Sequence, residues 1–233
     1  MHYLALACDF DGTLAHDGVV SDAVIDALVR CRQSRRRVLM VTGRELDDLK
    51  RTFSHLDLFD SVVVENGAVL FSPQTGCERP LAAPPPTEFI DALRARGVGP
   101  ISVGRVIVAT WSPFETQVLE TIRDLGLELQ VVFNKGAVMV LPSGVNKATG
   151  LLAALDQLKV PAYQVVAVGD AENDHALLEA AGAGVAVANA VPMLKAHAQW
   201  VTKGDHGEGV IELIEQLLEN DLSNLPRRPQ ANA

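Results

Sequence analysis

The chain has 233 residues, 48% of them hydrophobic, and a formal charge of −9. That length fits one large domain or a domain with an insert, with ample apolar content for a core. The acidic balance argues against nucleic acid and anionic membrane surfaces as partners, so an anionic substrate would need a metal or a well-placed Lys.

The pattern along the chain alternates strands and helices. Tyr3 to Cys8 carries no charge and no strict alternation, as expected of a central strand buried on both faces. It runs into Asp9-Phe10-Asp11-Gly12-Thr13-Leu14, two carboxylates one residue apart followed by a tight-turn glycine. In an extended strand such residues share a face, and acids are rarely buried there unless paired or holding a metal. Ser21 is expected to cap a helix through Val29, and Arg35-Arg36-Arg37 reads as cations near that helix's C-terminus. Val38 to Val41 is a second buried strand, ending in Thr42-Gly43-Arg44 before a helix from Glu45 to Phe53. Ser61 to Val64 is a third, ending in Glu65-Asn66-Gly67, where Asn-Gly favours a tight turn into a strand from Ala68 to Phe71.

Ala83-Pro84-Pro85-Pro86 breaks the pattern and reads as a linker. Beyond it follow a helix (88–96), a strand (105–110), a helix (113–125) and two strands (127–133 and 137–141) around a turn at Asn134-Lys135-Gly136. This insert is small for an independent domain, so it is expected to lie as a lid over the rest. The larger pattern then resumes. Helix 146–158 has Lys147 in its first turn, and strand 164–168 ends in Gly169-Asp170. Next come helix 172–181, strand 184–187, short helix 191–197, short strand 200–202 and helix 208–218. The expected organisation is core 1–82, cap 83–144, core 145–219 and a mobile tail 220–233.

The three cysteines, Cys8, Cys31 and Cys77, are far apart and lack CxxC spacing, so reduced thiols of a cytoplasmic protein are expected. No secretory leader and no run of about 18 apolar residues is evident.

Asp9/Asp11, Thr42-Gly43, Lys147 and Asp170/Asp174 all fall after strands or at a helix start. In an open parallel sheet, ligands bind outside the carboxyl ends of strands, so these residues are expected to meet. Together they supply a nucleophile, a metal site and phosphate contacts, a set suited to phosphoryl transfer. Asp170 and Asp174 can converge on one Mg²⁺, which takes oxygen ligands.

Asp9 to Leu14, Thr42-Gly43-Arg44, Lys147 and Gly169 to Asp174 resemble, in order, the four motifs of the haloacid dehalogenase superfamily. Glu65 to Ala68 and Gly184 to Ala190 are similar to its Cof-like branch, which carries its cap between the second and third motifs. The resemblance extends to about Leu218. It implies a Rossmann-like α/β core, a parallel sheet with helices on both faces, plus a small α+β cap. It also implies a Mg²⁺-dependent phosphatase acting on a small phosphorylated metabolite, such as a sugar phosphate or phosphoglycolate. By position, Asp9 would be the nucleophile, Asp11 the general acid, and Lys147 the charge balance. Thr42, Gly12 and Gly43 would hold phosphate. Asp9, the Asp11 carbonyl, Asp170 and Asp174 would hold Mg²⁺. Asn173 would bind phosphate or orient Asp170, and Arg44 and Asn66 would stand near the substrate or serve structure.

Two alternatives remain at this level: a phosphomutase of the phosphomannomutase type, and a non-catalytic binding or regulatory module on the same fold. His16 reads as a loop residue, His175 as facing away from Asp174, and Trp111 and Trp200 as packing. Lys135 reads as keeping a turn soluble rather than touching substrate. Oligomeric state is not legible.

Overall fold

The structure is a computed structural model and describes residues 1–225. The chain runs β1 (Ala5–Cys8), α1 (Asp22–Gln33), β2 (Arg37–Val41), α2 (Leu46–Thr52), β3 (Ser61–Val64), β4 (Val69–Ser72) and β5 (Cys77–Pro80). An insert follows: α3 (Thr87–Ala95), β6 (Ser102–Val103), β7 (Val108–Trp111), α4 (Glu115–Asp124), β8 (Leu129–Asn134) and β9 (Ala137–Pro142). It closes with α5 (Lys147–Leu158), β10 (Val165–Gly169), α6 (His175–Ala180), β11 (Ala183–Ala186), α7 (Pro192–His197), β12 (Trp200–Val201) and α8 (His206–Asn220).

Among the described residues the large sheet has the order β12-β11-β10-β1-β2-β3-β4-β5, parallel from β12 to β3 and antiparallel at β4 and β5. β1 lies at its centre, every residue fully buried, because it has helices on both faces and no charge to solvate. The insert forms its own antiparallel sheet, β6-β7-β9-β8, with a separate apolar cluster that includes Phe89, Leu93, Val108, Val118, Val138 and Val140. Val106, Ile107, Met139 and Leu141 join the core's cluster instead, so the insert is packed onto the core rather than hung from it.

Helix α1 buries Val24, Ala27, Leu28 and Cys31, the i, i+3, i+4, i+7 stripe of an amphipathic helix. Ser21 stands at its N-cap position without a side-chain cap bond. The arginine run differs from expectation. Arg36 is buried, and its guanidinium donates to the carbonyls of Tyr3 and Leu217 and, at 2.8 Å, to Asp221. The cation therefore serves the C-terminus of α8 as well as the C-cap of α1, where it donates to Ser34 Oγ at 2.9 Å. Asp221 also accepts from the His2 and Tyr3 amides, and Leu222 is buried. The expected mobile tail is thus packed as far as Leu222, and residues 226–233 lie outside the described residues.

The edge strand β5 and the two-residue β6 escape sequence reading. Their short, polar or proline-bearing stretches carry no apolar periodicity, and backbone pairing alone makes them strands.

The turn after β3 does more than reverse the chain. Glu65, Asn66 and Gly67 all have positive φ, and Gly67, at φ 105°, lets the start of α5 come close. A Cβ on Gly67 would lie 1.9 Å from the Asn146 carbonyl oxygen. Asn146 caps α5 by accepting from the Thr149 amide at 3.0 Å while its own amide donates to the Thr149 hydroxyl at 3.0 Å. Gly67→Ala would combine a backbone collision with an unfavourable φ. It is expected to destabilise the protein by about 2 kcal/mol or more, measured by urea denaturation.

Candidate active site

Four segments end at the carboxyl edge of the large sheet. Asp9 follows β1, Thr42 follows β2, Asp170 follows β10, and Lys147 opens α5. The strands are short and buried, so each delivers its polar residue into an interior of apolar walls.

Lys147 stands at the first position of a helix, where the dipole disfavours a cation. Two carboxylates outweigh that cost. Its Nζ donates to Asp9 Oδ1 and to Asp174 Oδ1, both at 2.6 Å, with all three groups buried. Asp174 Oδ2 accepts from the amides of Asp170 and Ala171, each at 3.0 Å. Both oxygens of Asp174 are therefore engaged, one holding the lysine and one shaping the turn after β10.

Burial pushes the Asp9 carboxyl up to about 8, Lys147 pulls it down, and Asp174 and then Asp170 add to the rise. Burial works against the Lys147 ammonium, but Asp174 and Asp9 outweigh it and raise its pKa. The ammonium stays charged, and Asp9 is the reluctant anion. Asp170 is also raised, first by burial. Ligand oxygens of Asp9, Asp170 and Asp174 lie within 4.8 Å of one another. An all-oxygen, carboxylate-rich cluster with more negative than positive buried groups fits Mg²⁺.

Asp11 lies beyond the end of β1, yet it lines the same cavity as Asp9. β1 ends at Cys8, and the chain then turns back, with the Ala15 amide donating to the Phe10 carbonyl at 2.8 Å. Strand alternation does not reach Asp11. Its carboxylate takes a two-pronged contact from Arg44, Nε to Oδ2 and Nη2 to Oδ1, both 2.7 Å, while its backbone carbonyl accepts from Lys135, which also donates to Asp170. Arg44 is anchored by Asp48 at 2.7 Å and Thr52 at 2.9 Å, and the Asp11 hydrogen bond leads the causes raising its pKa. Gly12, at φ 87°, has no room for a side chain: a Cβ would lie 2.3 Å from Asp170 Oδ2.

Thr42 is buried, with its hydroxyl accepting the Arg44 amide at 3.1 Å. Asn173 Nδ2 donates to Asn66 Oδ1 at 3.0 Å, and its own Oδ1 is buried without a protein partner. A cavity of 540 Å³ between core and insert opens onto Asp9, Asp11, Gly43 and Arg44 from below. From above it is lined by Trp111, Asn134 and Lys135 among others.

Three residues matter more than sequence reading allowed. Lys135 reaches down from the β8–β9 turn, and its Nζ donates to Asp170 Oδ2 at 2.8 Å and the Asp11 carbonyl at 3.1 Å. It belongs to the site, against the expectation of a solubilising turn residue; only the fold brings this hairpin over the first motif. Glu65 is buried and accepts three insert amides, those of Arg105 at 2.8 Å, Val106 at 2.7 Å and Ile107 at 2.9 Å. Asn189 donates to the Gly12 carbonyl at 2.8 Å and accepts the His206 amide at 2.7 Å, which braces the first-motif turn from behind. Its place in the stretch Gly184 to Ala190 was the available signal; Glu65 belongs to the Glu65 to Ala68 motif, but nothing local revealed its partners. Trp111 is exposed in the cavity wall rather than packed, whereas Trp200 packs against the core. His16 meets the His206 ring, and His175 meets the His197 ring.

Residues 6–99 and 112–214 match the model of the haloacid dehalogenase-like hydrolases. The chain belongs to that family. It is 32% identical to a phosphoglycolate phosphatase of Methanothermobacter thermautotrophicus, over 92% of this chain and 98% of the relative. It is 30% identical to phosphoglycolate phosphatase 2 of Saccharolobus solfataricus, over 94% of each. A solved structure from Thermoplasma acidophilum shares the fold with a TM-score of 0.80 at 16% identity, covering 93% of this chain and 98% of that one. The protein is an enzyme of the phosphoric monoester hydrolase type, against the non-catalytic alternative. No helix among the described residues is long and apolar enough to cross a membrane.

Lys147→Ala would leave buried carboxylates without their cation. The expected loss is about 3–5 kcal/mol of unfolding free energy in metal-free protein, measured by urea denaturation. Glu65→Ala removes an acceptor shared by three amides. Faster hydrogen exchange is expected at Arg105, Val106 and Ile107, with little change in β1.

Proposed function

We propose that this hydrolase is a Mg²⁺-dependent phosphatase of a small phosphorylated acid, with phosphoglycolate the first candidate, working through phosphorylation of Asp9. The observation that carries the reading is the buried Asp9–Lys147–Asp174 triplet beside Asp170, opening on a cavity of metabolite size. The names of the relatives support the substrate, and the cavity volume favours a small molecule over a protein or nucleic acid end.

Asp9, Asp170 and the Asp11 carbonyl would hold Mg²⁺, with Asp174 completing the charge while it holds Lys147. Bound there, the ion would offset charge on the phosphoryl oxygens and keep Asp9 ionised. An Asp9 carboxylate oxygen attacks phosphorus, the bond to the leaving oxygen breaks, and Asp11 gives that oxygen its proton. Water then attacks the aspartyl phosphate, Asp11 takes the water's proton, and the bond to Asp9 breaks. Asp11 acts after leaving its pairing with Arg44. Thr42, the Gly43 amide, Gly12 and Asn173 would cradle the phosphoryl oxygens, and Lys147 would balance the charge that passes between Asp9 and phosphate. Arg44 and Asn66 are placed here as positioning residues, Arg44 for Asp11 and Asn66 for Asn173.

Net phosphate release from phosphoglycolate, alongside sugar phosphates and an aryl phosphate, is expected with Mg²⁺ and not with chelator. Asp9→Asn should lower it by at least about 10³-fold. Release that survives the substitution would overturn the reading. Metal binding needs the ionised carboxylate, and the folded metal-free Asp9 is protonated below about 8. Mg²⁺ affinity is therefore expected to rise with pH and level off above that value, measured by titration calorimetry.

A further inference from the structure

Two of the oxygens assigned above to Mg²⁺ already have a cation on them. Lys135 Nζ donates to Asp170 Oδ2 at 2.8 Å and to the Asp11 carbonyl oxygen at 3.1 Å, one acceptor from the fourth motif and one from the first. These are hydrogen-bond distances, and a divalent ion held by the same two oxygens would leave no room for an ammonium between them. Lys135 is not part of the core. It comes from the tip of the β8–β9 turn, at φ 48°, on a long side chain that remains about half exposed. Its withdrawal from Asp170 would move a half-exposed side chain at a turn rather than a core residue.

What it would meet on withdrawing is the cavity. The other two cations in the cavity lining both pair with Asp48. Arg44 stays anchored to Asp48 and Thr52 through Nη1 when Asp11 leaves it, and Arg51, mostly exposed, pairs with Asp48 at 3.3 Å. Glu45 and Asp48 add negative charge to the same wall. A released Lys135 would add a cation to this wall for a substrate whose far end is anionic.

We propose that Lys135 is a tethered cation that holds the metal position until Mg²⁺ replaces it, and then pairs with the anionic far end of the substrate. The proposal rests on the metal site read above. It makes Lys135 a specificity residue for acids such as phosphoglycolate over phosphate esters of neutral alcohols. It also couples metal loading to the position of the β8–β9 turn, because the same side chain cannot serve both partners at once.

Mn²⁺ serves as the probe, its binding followed by electron paramagnetic resonance without substrate, for wild type, Lys135→Met and Asp170→Asn. Removing the internal competitor should tighten Mn²⁺ binding about tenfold in Lys135→Met, whereas Asp170→Asn should weaken it. If Asp170→Asn leaves Mn²⁺ affinity unchanged, the metal-site reading fails and the proposal falls with it. If affinity depends on Asp170 but is equal in wild type and Lys135→Met, the competition fails alone. The second arm compares kcat/KM for phosphoglycolate with that for ethyl phosphate. Lys135→Met should lower that ratio by about tenfold or more, and Lys135→Arg should recover part of it. An unchanged ratio would overturn the pairing with substrate.

Discussion

A single buried ammonium, Lys147, holds the site together. It stands between Asp9 and Asp174 at 2.6 Å from each, in an interior where an unpaired charge of either sign would be costly. Through Asp9 it ties α5 to the end of β1, and through Asp174 to the turn after β10. The start of α5 is in turn set by the Asn146 cap and by the close approach to Gly67. The unfavourable place of a lysine at a helix N-terminus, and the raised Asp9 carboxyl, are what this arrangement costs the fold. Both make sense where the residues are poised for chemistry rather than for stability.

The insert is joined to this centre by polar contacts as much as by packing. Glu65, on the core, takes three amides of the strand-bearing segment that leads into β7, so one carboxylate anchors the insert's backbone. Arg105 adds contacts to Asp47 and Glu78 at the rim. On the opposite side Lys135 descends to Asp170. The first anchor is buried and the second is half exposed, so the two ends of the insert differ in how readily they let go.

Much of the core was legible because its signals are local. Short uncharged runs such as Tyr3 to Cys8 and Gln164 to Val168 read as buried strands, and the acids after them stood out as residues with no packing reason to be there. The edge strand β5 and the buried Arg36 were not legible, since pairing and the C-terminus of α8 decide them, and neither is near in sequence. Asp11 shows the limit of periodicity. It shares a cavity with Asp9, but the turn after Cys8 rather than strand alternation puts it there, paired with Arg44.

By itself the sequence determined the inventory of the site: two acids after the first strand, a threonine-glycine pair after the second, one lysine opening a helix, and two acids after the strand that precedes α6. Those are properties of residue type and order, which backbone period and strand-end topology translate directly. Tertiary structure alone decided who meets whom. Asp174 is spent on Lys147 and two amides, Glu65 clasps the insert, and Lys135 crosses from the β8–β9 turn to Asp170. Each of those pairings joins segments from separate elements, and the energy of a buried charge depends on its neighbours in space, which no local pattern in the chain records.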